Sequence, residues 1–331
     1  MTALLHPLLL TTGPVMPDVV ERQLAPRFTL VGDMDVDGAV AAHGPRIRAI
    51  ATRGRIPVDE ALMARLPALE IIANFGVGYD SVDAQAAARR GVMVTHTPDV
   101  LNEDVADLAL GLLLATVRDL PRADRFVREG RWLTGAFPLT TTLRERRVGI
   151  VGMGRIGKAI ARRVEAFGLP IAYHTRTPQP DLPYRHYADL LAMAQDVNIL
   201  ILILPGGPAT DRLVNAQVLA ALGADGILIN VSRGTVVDED ALVQALKSGA
   251  LRAAGLDVFR DEPHVPEGLL GLDNVVLLPH VGSATHHTRA AMGMLVVDNL
   301  LSWFDGKGAL TSVPETQALN VFKSAPASDL G

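Results

Sequence analysis

The sequence predicts an α/β protein made of two doubly wound parallel sheets. Two observations lead to this fold class. The 331 residues exceed the ~100–200 residues of an average domain, and short apolar runs alternate with helix-like stretches along most of the chain. This alternation produces a parallel sheet with helices on both faces, so we expect two domains, each with its own core.

The first hundred residues are predicted to form the smaller domain. Apolar runs indicate strands at Leu4–Leu10, Ala49–Ala51, Leu69–Asn74 and Val92–Thr95, and helices are predicted at Asp59–Leu66 and Val82–Arg90. We expect this domain to end near Pro98. The segment Asn102–Arg118 follows, with acidic residues in its opening turns, and it is predicted as an amphipathic helix that bridges the domains.

The larger domain is predicted to follow a polar, basic stretch at Thr140–Arg147. Its expected strands are Val148–Val151, Ile171–His174, Ile199–Leu204, Gly226–Asn230, Ala253–Leu256 and Val275–Leu278. A helical pattern from Thr285 to about Phe304 is expected to return the chain to the first domain. The tail after Pro314 has little periodicity, and we expect it to fray.

Composition argues against several classes of function. The net charge is -5 and there is no basic patch, so we expect no nucleic-acid partner. The chain has no cysteine, which excludes disulfides and thiolate metal sites, and we expect no metal. No apolar run reaches the ~20 residues of a membrane span, and the apolar start lacks a basic leader. We therefore expect no membrane partner and a cytoplasmic location.

The segment V-G-I-V-G-M-G-R-I-G (148–157) carries the strongest motif. A buried strand leads through Gly152, Gly154 and Gly157 into the predicted helix Lys158–Phe167. The first glycine allows the tight turn, the second lets backbone N–H groups approach a pyrophosphate, and the third lets the helix pack closely on the strand. The motif predicts a nicotinamide dinucleotide site.

The next strand favours NADPH over NADH. An NAD enzyme places Asp or Glu at the end of this strand, beside the adenosine ribose. Here the strand Ile171–His174 is followed by Thr175, Arg176 and Thr177. A cation between two hydroxyls suits a 2′-phosphate, so we expect NADPH, with NADH as the weaker alternative. In the purely structural interpretation, Arg176 is a solvated loop residue.

Three polar residues each follow an apolar run of the larger domain. Arg233, Glu262 and His280 come after predicted strands, at the edge where open α/β sheets bind ligands. Reduction of a 2-oxo acid needs a cation for the carboxylate, a proton donor for the developing alkoxide and a group that tunes the donor. Arg233 can hold a carboxylate through two parallel hydrogen bonds, and Glu262 would favour the protonated imidazole of His280. A lone histidine is usually structural; a carboxylate partner favours a catalytic role.

A set of ordered motifs makes the chain resemble a known family. They are N-F-G-V-G-Y-D (74–80), T-P-D-V-L-N-E-D-V-A-D (97–107), N-V-S-R-G (230–234), G-L-D-V-F-R-D-E-P (255–263) and L-L-P-H-V-G-S-A-T (277–285). With the glycine turn, they resemble the D-isomer-specific 2-hydroxyacid dehydrogenases over essentially the whole chain. The most similar branch contains NADPH-dependent glyoxylate/hydroxypyruvate reductases and related hydroxyphenylpyruvate reductases.

The resemblance implies further roles and a split topology. Residues 1–99 and 287–331 would form a flavodoxin-like substrate domain, and residues 100–286 an inserted Rossmann domain that binds the dinucleotide. Arg233, Glu262 and His280 would be catalytic, the N–H groups of Val77 and Gly78 would bind the substrate carboxylate, and Asp257 would hold the nicotinamide carboxamide. The full set of expected cofactor contacts is Gly152, Gly154, Arg155, Ile156, Gly157, Thr175, Arg176, Thr177, Pro205, Thr210, Val231, Asp257 and Gly282.

The predicted reaction is NADPH-dependent reduction of a small 2-oxo acid, glyoxylate or hydroxypyruvate, to the D-2-hydroxy acid. Arg53 or Arg55, in the loop after the second predicted strand, would favour polar or anionic substrates; in the purely structural interpretation both are surface arginines. The alternatives are a larger or aryl 2-oxo acid of the hydroxyphenylpyruvate type, a dinucleotide-sensing corepressor, and phosphite or formate oxidation. The missing basic patch disfavours the corepressor, and the complete Arg, Glu and His set disfavours oxidation of a substrate without a carbonyl.

Three segments leave details of packing and assembly open. Leu143–Arg147 stands where the family commonly has a glycine, and we expect it to be surface charge only. Leu204–Thr210 has smaller residues after its proline than relatives do, which makes Pro205 and Thr210 weaker candidates. Trp132 and Phe137 are expected in the core or at an interface; the alternative that the family resemblance implies is that they reach a partner subunit's pocket. A homodimer is expected.

Overall fold

The protein forms two compact units in the computed structural model, which describes residues 6–33, 35–54 and 56–320. One unit contains Met1–Val100 and Thr285–Gly331, and the other contains Leu101–Ala284. Leu4 and Leu5 of the first predicted strand, Arg55 and the tail from residue 321 lie outside the described residues.

The first unit alternates strands and helices. Its strands are β1 (Leu8–Thr12), β2 (Thr29–Asp33), β3 (Ile47–Thr52), β4 (Ile71–Asn74) and β5 (Met93–Thr95). Its helices are α1 (Arg22–Leu24), α2 (Val36–His43), α3 (Glu60–Ala64), α4 (Ala84–Arg89) and, after the second unit, the long helix α12 (His286–Phe304). Aspartates begin three of these helices: Asp35 accepts from the Gly38 N–H before α2, Asp59 from the Leu62 N–H before α3, and Asp83 from the Ala86 N–H before α4.

The five strands of this unit lie in the order β2-β1-β3-β4-β5, and all pairs are parallel. This is the flavodoxin-like order. Strands β1 and β4 are buried along their whole length, as strands covered on both faces must be. The carboxyl ends of β4 and β5 place Asn74 and Thr95 at one edge of the sheet.

The second unit has seven strands in its described sheet. They are β6 (Val148–Val151), β7 (Ile171–His174), β8 (Arg185–Tyr187), β9 (Ile199–Leu202), β10 (Ile227–Asn230), β11 (Ala253–Leu256) and β12 (Val275–Leu277). The helices are α5 (Asn102–Val117), α6 (Leu120–Arg128), α7 (Arg155–Ala166), α8 (Leu190–Asp196), α9 (Ala216–Leu222), α10 (Glu239–Ser248) and α11 (Glu267–Leu270).

The strand order of this sheet is β12-β11-β10-β9-β6-β7-β8, and every pair is parallel. The chain adds β7 and β8 on one side of β6. It then returns and adds β9, β10, β11 and β12 on the other side. This is the Rossmann order with one added strand, and ligands bind such sheets outside the strand ends at the reversal, here between β6 and β9. The predicted fold class is confirmed for both units.

Two edge strands, β2 and β8, were not predicted from the sequence. β2 contains Gly32 and Asp33, and β8 is the polar triplet Arg185–Tyr187. Each pairs on one side only, so its sequence does not need the apolar run of a central strand. The loop after Thr52 therefore follows the third strand, and its predicted place after the second was wrong. The first strand was also placed too early, because β1 begins at Leu8.

The basic stretch before β6 differs from its prediction in one residue. Arg146 was expected as surface charge, but it is only 9% exposed. Its guanidinium donates to the carbonyl oxygens of Thr142 (2.7 Å) and Asp225 (2.8 Å) and to Thr141 Oγ1 (2.9 Å). Its hydrogen bonds therefore connect the segment before β6 to the turn before β10.

No helix in the described ranges is long and apolar enough to cross a membrane.

Candidate active site

The glycine turn between β6 and α7 leaves no room for side chains at two positions. Gly152 has a φ of +98°, and a Cβ there would lie 2.1 Å from the carbonyl oxygen of Ile203. A Cβ on Gly157 would lie 2.2 Å from the carbonyl oxygen of Gly152, whereas one on Gly154 would meet nothing within 4 Å. The tight turn and the open backbone at Gly154, before the N-terminus of α7, fit a dinucleotide pyrophosphate.

Replacing Gly157 by alanine should weaken dinucleotide binding. The added Cβ meets backbone rather than a flexible side chain, so the turn must shift, at a cost equivalent to about 10–100-fold in the dissociation constant. Fluorescence titration with NADPH measures this loss. Gly111→Ala in α5 is the matched control, because its Cβ would meet nothing within 4 Å. Unchanged affinity in Gly157→Ala would remove the turn from the cofactor site.

The loop after β7 is held by hydrogen bonds that leave Arg176 at its surface. His174 Nδ1 lies 2.9 Å from the carbonyl oxygen of Tyr187, and Thr175 Oγ1 donates to the carbonyl oxygen of Thr177 at 2.7 Å. Arg176 is exposed and pairs with no residue in the described part of the chain. Its guanidinium is therefore available to an anion at the end of β7.

The remaining predicted cofactor contacts lie at the same edge of the sheet. Arg155 and Ile156 occupy the first turn of α7. Thr210 Oγ1 donates to the carbonyl oxygen of Pro205 (2.9 Å), which closes the loop after β9. Val231 is buried directly after β10. Because all these strands are parallel, their following loops meet at one edge of the sheet.

Arg233 is positioned by a turn that Asn230 builds at the end of β10. Asn230 is 1% exposed; its Oδ1 accepts from the Ser232 N–H (3.0 Å) and Oγ (2.7 Å), and its Nδ2 donates to the carbonyl oxygen of Arg233 (3.0 Å). A Cβ on Gly234 would lie 1.9 Å from the carbonyl carbon of Phe259. The chain beyond Arg233 therefore packs directly on the segment that leads to Glu262.

His280 and Glu262 form a hydrogen-bonded pair. His280 Nδ1 lies 2.7 Å from Glu262 Oε2. An ionised carboxylate only accepts, so Nδ1 carries the hydrogen, and Nε2 is the ring nitrogen that can exchange a proton with a ligand. The φ of His280 is +54°, a left-handed conformation that is uncommon outside glycine and concentrates at functional sites.

Opposing effects act on the Glu262 carboxyl. Burial raises its pKa, but the hydrogen bond and charge of His280, the Phe259 N–H and the charge of Arg233 together hold the pKa below its usual value. Glu262 therefore stays ionised through neutral and mildly acidic pH. The stability that this ionisation contributes is present above the unfolded-state pKa and is lost as the pH falls through the lower folded-state pKa.

Asp257 fastens the loop that carries His280. It is 1% exposed, and its carboxylate accepts from the N–H groups of Val281 (2.7 Å) and Gly282 (2.8 Å). The His280 N–H donates to the carbonyl oxygen of Asp257 at 2.8 Å. Burial raises the pKa of Asp257, against the lowering effect of these N–H groups and of His280. This aspartate fixes the backbone on both sides of the histidine.

The loop after β4 holds the predicted substrate residues of the first unit. Phe75 is 5% exposed, and the guanidinium of Arg53 lies 5.5 Å from its ring centroid. Val77 and Gly78 are partly buried, and their backbone N–H groups donate to no residue in the described ranges. Two adjacent N–H groups without acceptors are a suitable site for an anion.

No cluster of three or more His, Asp or Glu side chains within residues 6–33, 35–54 and 56–320 could hold a metal ion. The side chains that the sequence predicts as catalytic in the second unit are an arginine, a histidine and a glutamate.

Comparison with known proteins identifies the family. Residues 110–282 match the family model "D-isomer specific 2-hydroxyacid dehydrogenase, NAD binding domain". Glyoxylate/hydroxypyruvate reductase A of Arabidopsis thaliana is 48% identical over 301 residues, which cover 90% of this chain and 96% of that protein. The chain belongs to the D-isomer-specific 2-hydroxyacid dehydrogenase family. The resemblance inferred from the ordered motifs is thus confirmed.

Two further reductases are similar to this chain over most of its length. Hydroxyphenylpyruvate reductase of Plectranthus scutellarioides is 49% identical over 274 residues, 83% of this chain and 88% of that protein. The NADPH-dependent glyoxylate/hydroxypyruvate reductase SmGhrB of Sinorhizobium meliloti, solved with NADP and malonate, superimposes with a TM-score of 0.90 at 51% identity and covers 97% of this chain and 99% of that chain.

Sequence reasoning missed the residues that position the site of this dehydrogenase. Asn230 was seen only as part of a motif, although it builds the turn before Arg233. Asn74 and His96, at the ends of β4 and β5, were given no role. The available signal was that Asn74 is the last residue of one buried strand and His96 directly follows the next, because neighbouring parallel strands end at the same edge.

Proposed function

We propose that this dehydrogenase reduces glyoxylate, hydroxypyruvate and 2-oxo acids of similar size to D-2-hydroxy acids with NADPH. The observation that carries the proposal is the 2.7 Å hydrogen bond between His280 and Glu262, in the unit that also holds Arg233 and the glycine turn. The identities of 48% and 51% to two glyoxylate/hydroxypyruvate reductases support the substrate class.

Arg233, His280 and Glu262 each have one task in the proposed reaction. Arg233 pairs with the substrate carboxylate through two parallel hydrogen bonds and polarises the adjacent carbonyl. His280 holds a proton on Nε2 and donates it to the carbonyl oxygen as negative charge develops there. Glu262 accepts from Nδ1, which fixes the tautomer and the orientation of the imidazole and stabilises its cation.

The nicotinamide dinucleotide supplies the hydride when bound. Gly152, Gly154 and Gly157, with the first turn of α7, would hold its pyrophosphate. Arg176, between Thr175 and Thr177, would hold the 2′-phosphate, and no acidic side chain stands there to bind a 2′-hydroxyl instead. NADPH is therefore the proposed cofactor, with NADH weaker. Asp257 and Gly282 are proposed at the nicotinamide, and Pro205, Thr210 and Val231 along the dinucleotide.

The loop after β4 is proposed to bind the substrate carboxylate. The N–H groups of Val77 and Gly78 have no acceptor among the described residues, and a carboxylate supplies one. Arg53 is proposed to favour polar or anionic substrates. In the same proposal, residues 1–99 and 287–331 are the substrate domain and residues 100–286 the dinucleotide-binding domain.

Steady-state rates on a panel of 2-oxo acids test the proposed function. We expect glyoxylate and hydroxypyruvate to give the highest kcat/KM with NADPH, and chiral analysis of the product of hydroxypyruvate to show the D enantiomer. Negligible turnover of every 2-oxo acid would overturn the proposal. Higher kcat/KM for hydroxyphenylpyruvate would favour the aryl-acid alternative, which the 49% identity to a hydroxyphenylpyruvate reductase keeps open.

A homodimer is also proposed, from apolar side chains at the surface around α6. Val127, Trp132, Leu133 and Leu139 are 55%, 68%, 93% and 101% exposed. Trp132 was predicted in the core or at an interface; its exposure excludes the core in this chain, and the interface alternative is retained. Several large exposed apolar residues within one short segment are typical of an interface, and a second copy of the chain is the proposed partner.

The cytoplasmic location stays a prediction.

Light scattering coupled to size exclusion measures the assembly state. We expect the parent to have twice the monomer mass of 35.2 kDa and the double variant Trp132→Ser, Leu133→Ser to have the monomer mass. Leu270→Ser is the matched control, because Leu270 is 63% exposed outside this segment. A monomeric parent would contradict the proposed dimer.

A further inference from the structure

The turn from Gly76 to Gly78 has all three of its carbonyl oxygens held from the protein side. Asn74 Nδ2 donates to the carbonyl oxygens of Gly76 (3.1 Å) and Gly78 (3.0 Å). His96 Nδ1 lies 2.9 Å from the carbonyl oxygen of Val77. A carbonyl only accepts, so Nδ1 carries the hydrogen and donates it.

The contacts to the carbonyl oxygens of Gly76 and Val77 fix the direction of two particular N–H groups. In a trans peptide unit the N–H lies opposite the C=O. The carbonyl of Gly76 shares its peptide unit with the N–H of Val77, and the carbonyl of Val77 shares its unit with the N–H of Gly78. The Thr97 N–H also donates to the carbonyl oxygen of Gly76 (2.9 Å). Asn74 and Thr97 therefore orient the N–H of Val77, and His96 alone among the described side chains orients the N–H of Gly78; neither N–H donates to a described residue.

Both positioning side chains are themselves fixed. Asn74 is 2% exposed at the end of β4. The backbone of His96 is held on both sides by Thr311: its N–H donates to the Thr311 carbonyl oxygen (3.1 Å), and its own carbonyl accepts from Thr311 Oγ1 (2.6 Å). The His96 ring also meets the Tyr79 ring edge to face, with centroids 5.6 Å apart. The orientation of the turn is thus built into the sheet edge.

We propose that Asn74 and His96 are positioning residues for the substrate carboxylate, acting through the peptide units of Gly76–Val77 and Val77–Gly78. The inference rests on the proposed function, in which those N–H groups bind the carboxylate. Preorganised donors avoid the cost of turning peptide dipoles when the anion arrives. The carboxylate keeps its charge throughout the reaction, so these contacts contribute equally in the ground state and the transition state, and losing them raises KM rather than lowering kcat.

Two variants at residue 96 separate the hydrogen bond from the ring packing. His96→Phe keeps an aromatic ring against Tyr79 but cannot donate to Val77. His96→Asn loses the ring but places an amide N–H near the position of Nδ1. We expect the KM for glyoxylate to rise about tenfold in His96→Phe and to stay within about threefold of the parent in His96→Asn, as the loss or retention of one hydrogen bond implies. The kcat and the NADPH dissociation constant should stay within about threefold in both variants.

Asn74→Leu provides a second test, because leucine has a similar size and no donor. Its KM should rise by less than that of His96→Phe, because the Thr97 N–H still donates to the carbonyl oxygen of Gly76 at 2.9 Å. Binding of oxamate, an unreactive carboxylate, to the enzyme with NADPH should weaken in parallel, and melting temperatures and NADPH affinity show whether each variant is folded.

The outcomes separate the two levels of the proposal. If the parent turns over glyoxylate and binds oxamate but His96→Phe behaves like the parent, or His96→Asn is as impaired as His96→Phe, the positioning role is wrong and the proposed function stands. If the parent neither turns over a 2-oxo acid nor binds oxamate, the proposed function fails and the positioning role fails with it.

Discussion

Replacing His280 by asparagine should lower kcat by ~10²–10⁴-fold, because the reaction then lacks its proton donor. Asparagine is the informative substitution, since it tolerates the left-handed backbone that His280 adopts at φ +54°. The asparagine side chain has no acidic proton to donate to the carbonyl oxygen of the substrate. The turnover of glyoxylate with NADPH, measured by absorbance of the nicotinamide, reports the loss.

The same variant should bind NADPH with nearly unchanged affinity. The glycine turn and the Arg176 loop follow β6 and β7, whereas His280 follows β12 at the far end of the sheet. Glu262→Gln is the companion variant: it keeps the size of the side chain but removes the charge that stabilises the imidazole cation. It should lower kcat less than His280→Asn does, because the imidazole itself remains. Turnover in His280→Asn at the parental rate would exclude His280 as the acid.

The central strands and the strand-end residues could be predicted from sequence because both follow from local patterns. The continuous apolar runs Ile199–Leu202 and Ile227–Asn230 are what a parallel sheet covered on both faces requires. Arg233 stands out because a buried strand places a charged residue at the edge that binds ligands. Edge strand β8 gives no such signal. It pairs only with β7, and its residues are polar rather than a continuous apolar run.

The positioning contacts of His96 and Asp257 could not be predicted because they join residues that are distant in sequence. His96 reaches the carbonyl oxygen of Val77 across 19 residues, and Asp257 reaches the N–H of Gly282 across 25. Such pairs depend on which strands are neighbours and on the path of each loop. Arg146 is a similar case: its charge predicts a solvated side chain, but the carbonyl oxygens of Thr142 and Asp225 make its burial favourable.

Replacing Arg176 by alanine should lower kcat/KM for NADPH by about 10–100-fold and change the value for NADH by less than about threefold. The guanidinium lies exposed at the end of β7 with no partner among the described residues. A charge-assisted hydrogen bond to a phosphate contributes about 1.5–3 kcal/mol, and NADH has no 2′-phosphate to receive it. Steady-state rates with both cofactors at constant ionic strength give the two ratios.

The control for this prediction must remove a positive charge without touching the end of β7. Arg144→Ala does so, because Arg144 is exposed in the segment before β6; it should leave the NADPH to NADH ratio unchanged. Arg176→Lys should lie between the parent and Arg176→Ala, since it keeps the charge but loses the paired donors of the guanidinium. Equal losses for NADPH and NADH in Arg176→Ala would mean that Arg176 supports the loop rather than the 2′-phosphate. The preference for NADPH would then have to come from another residue at this edge of the sheet.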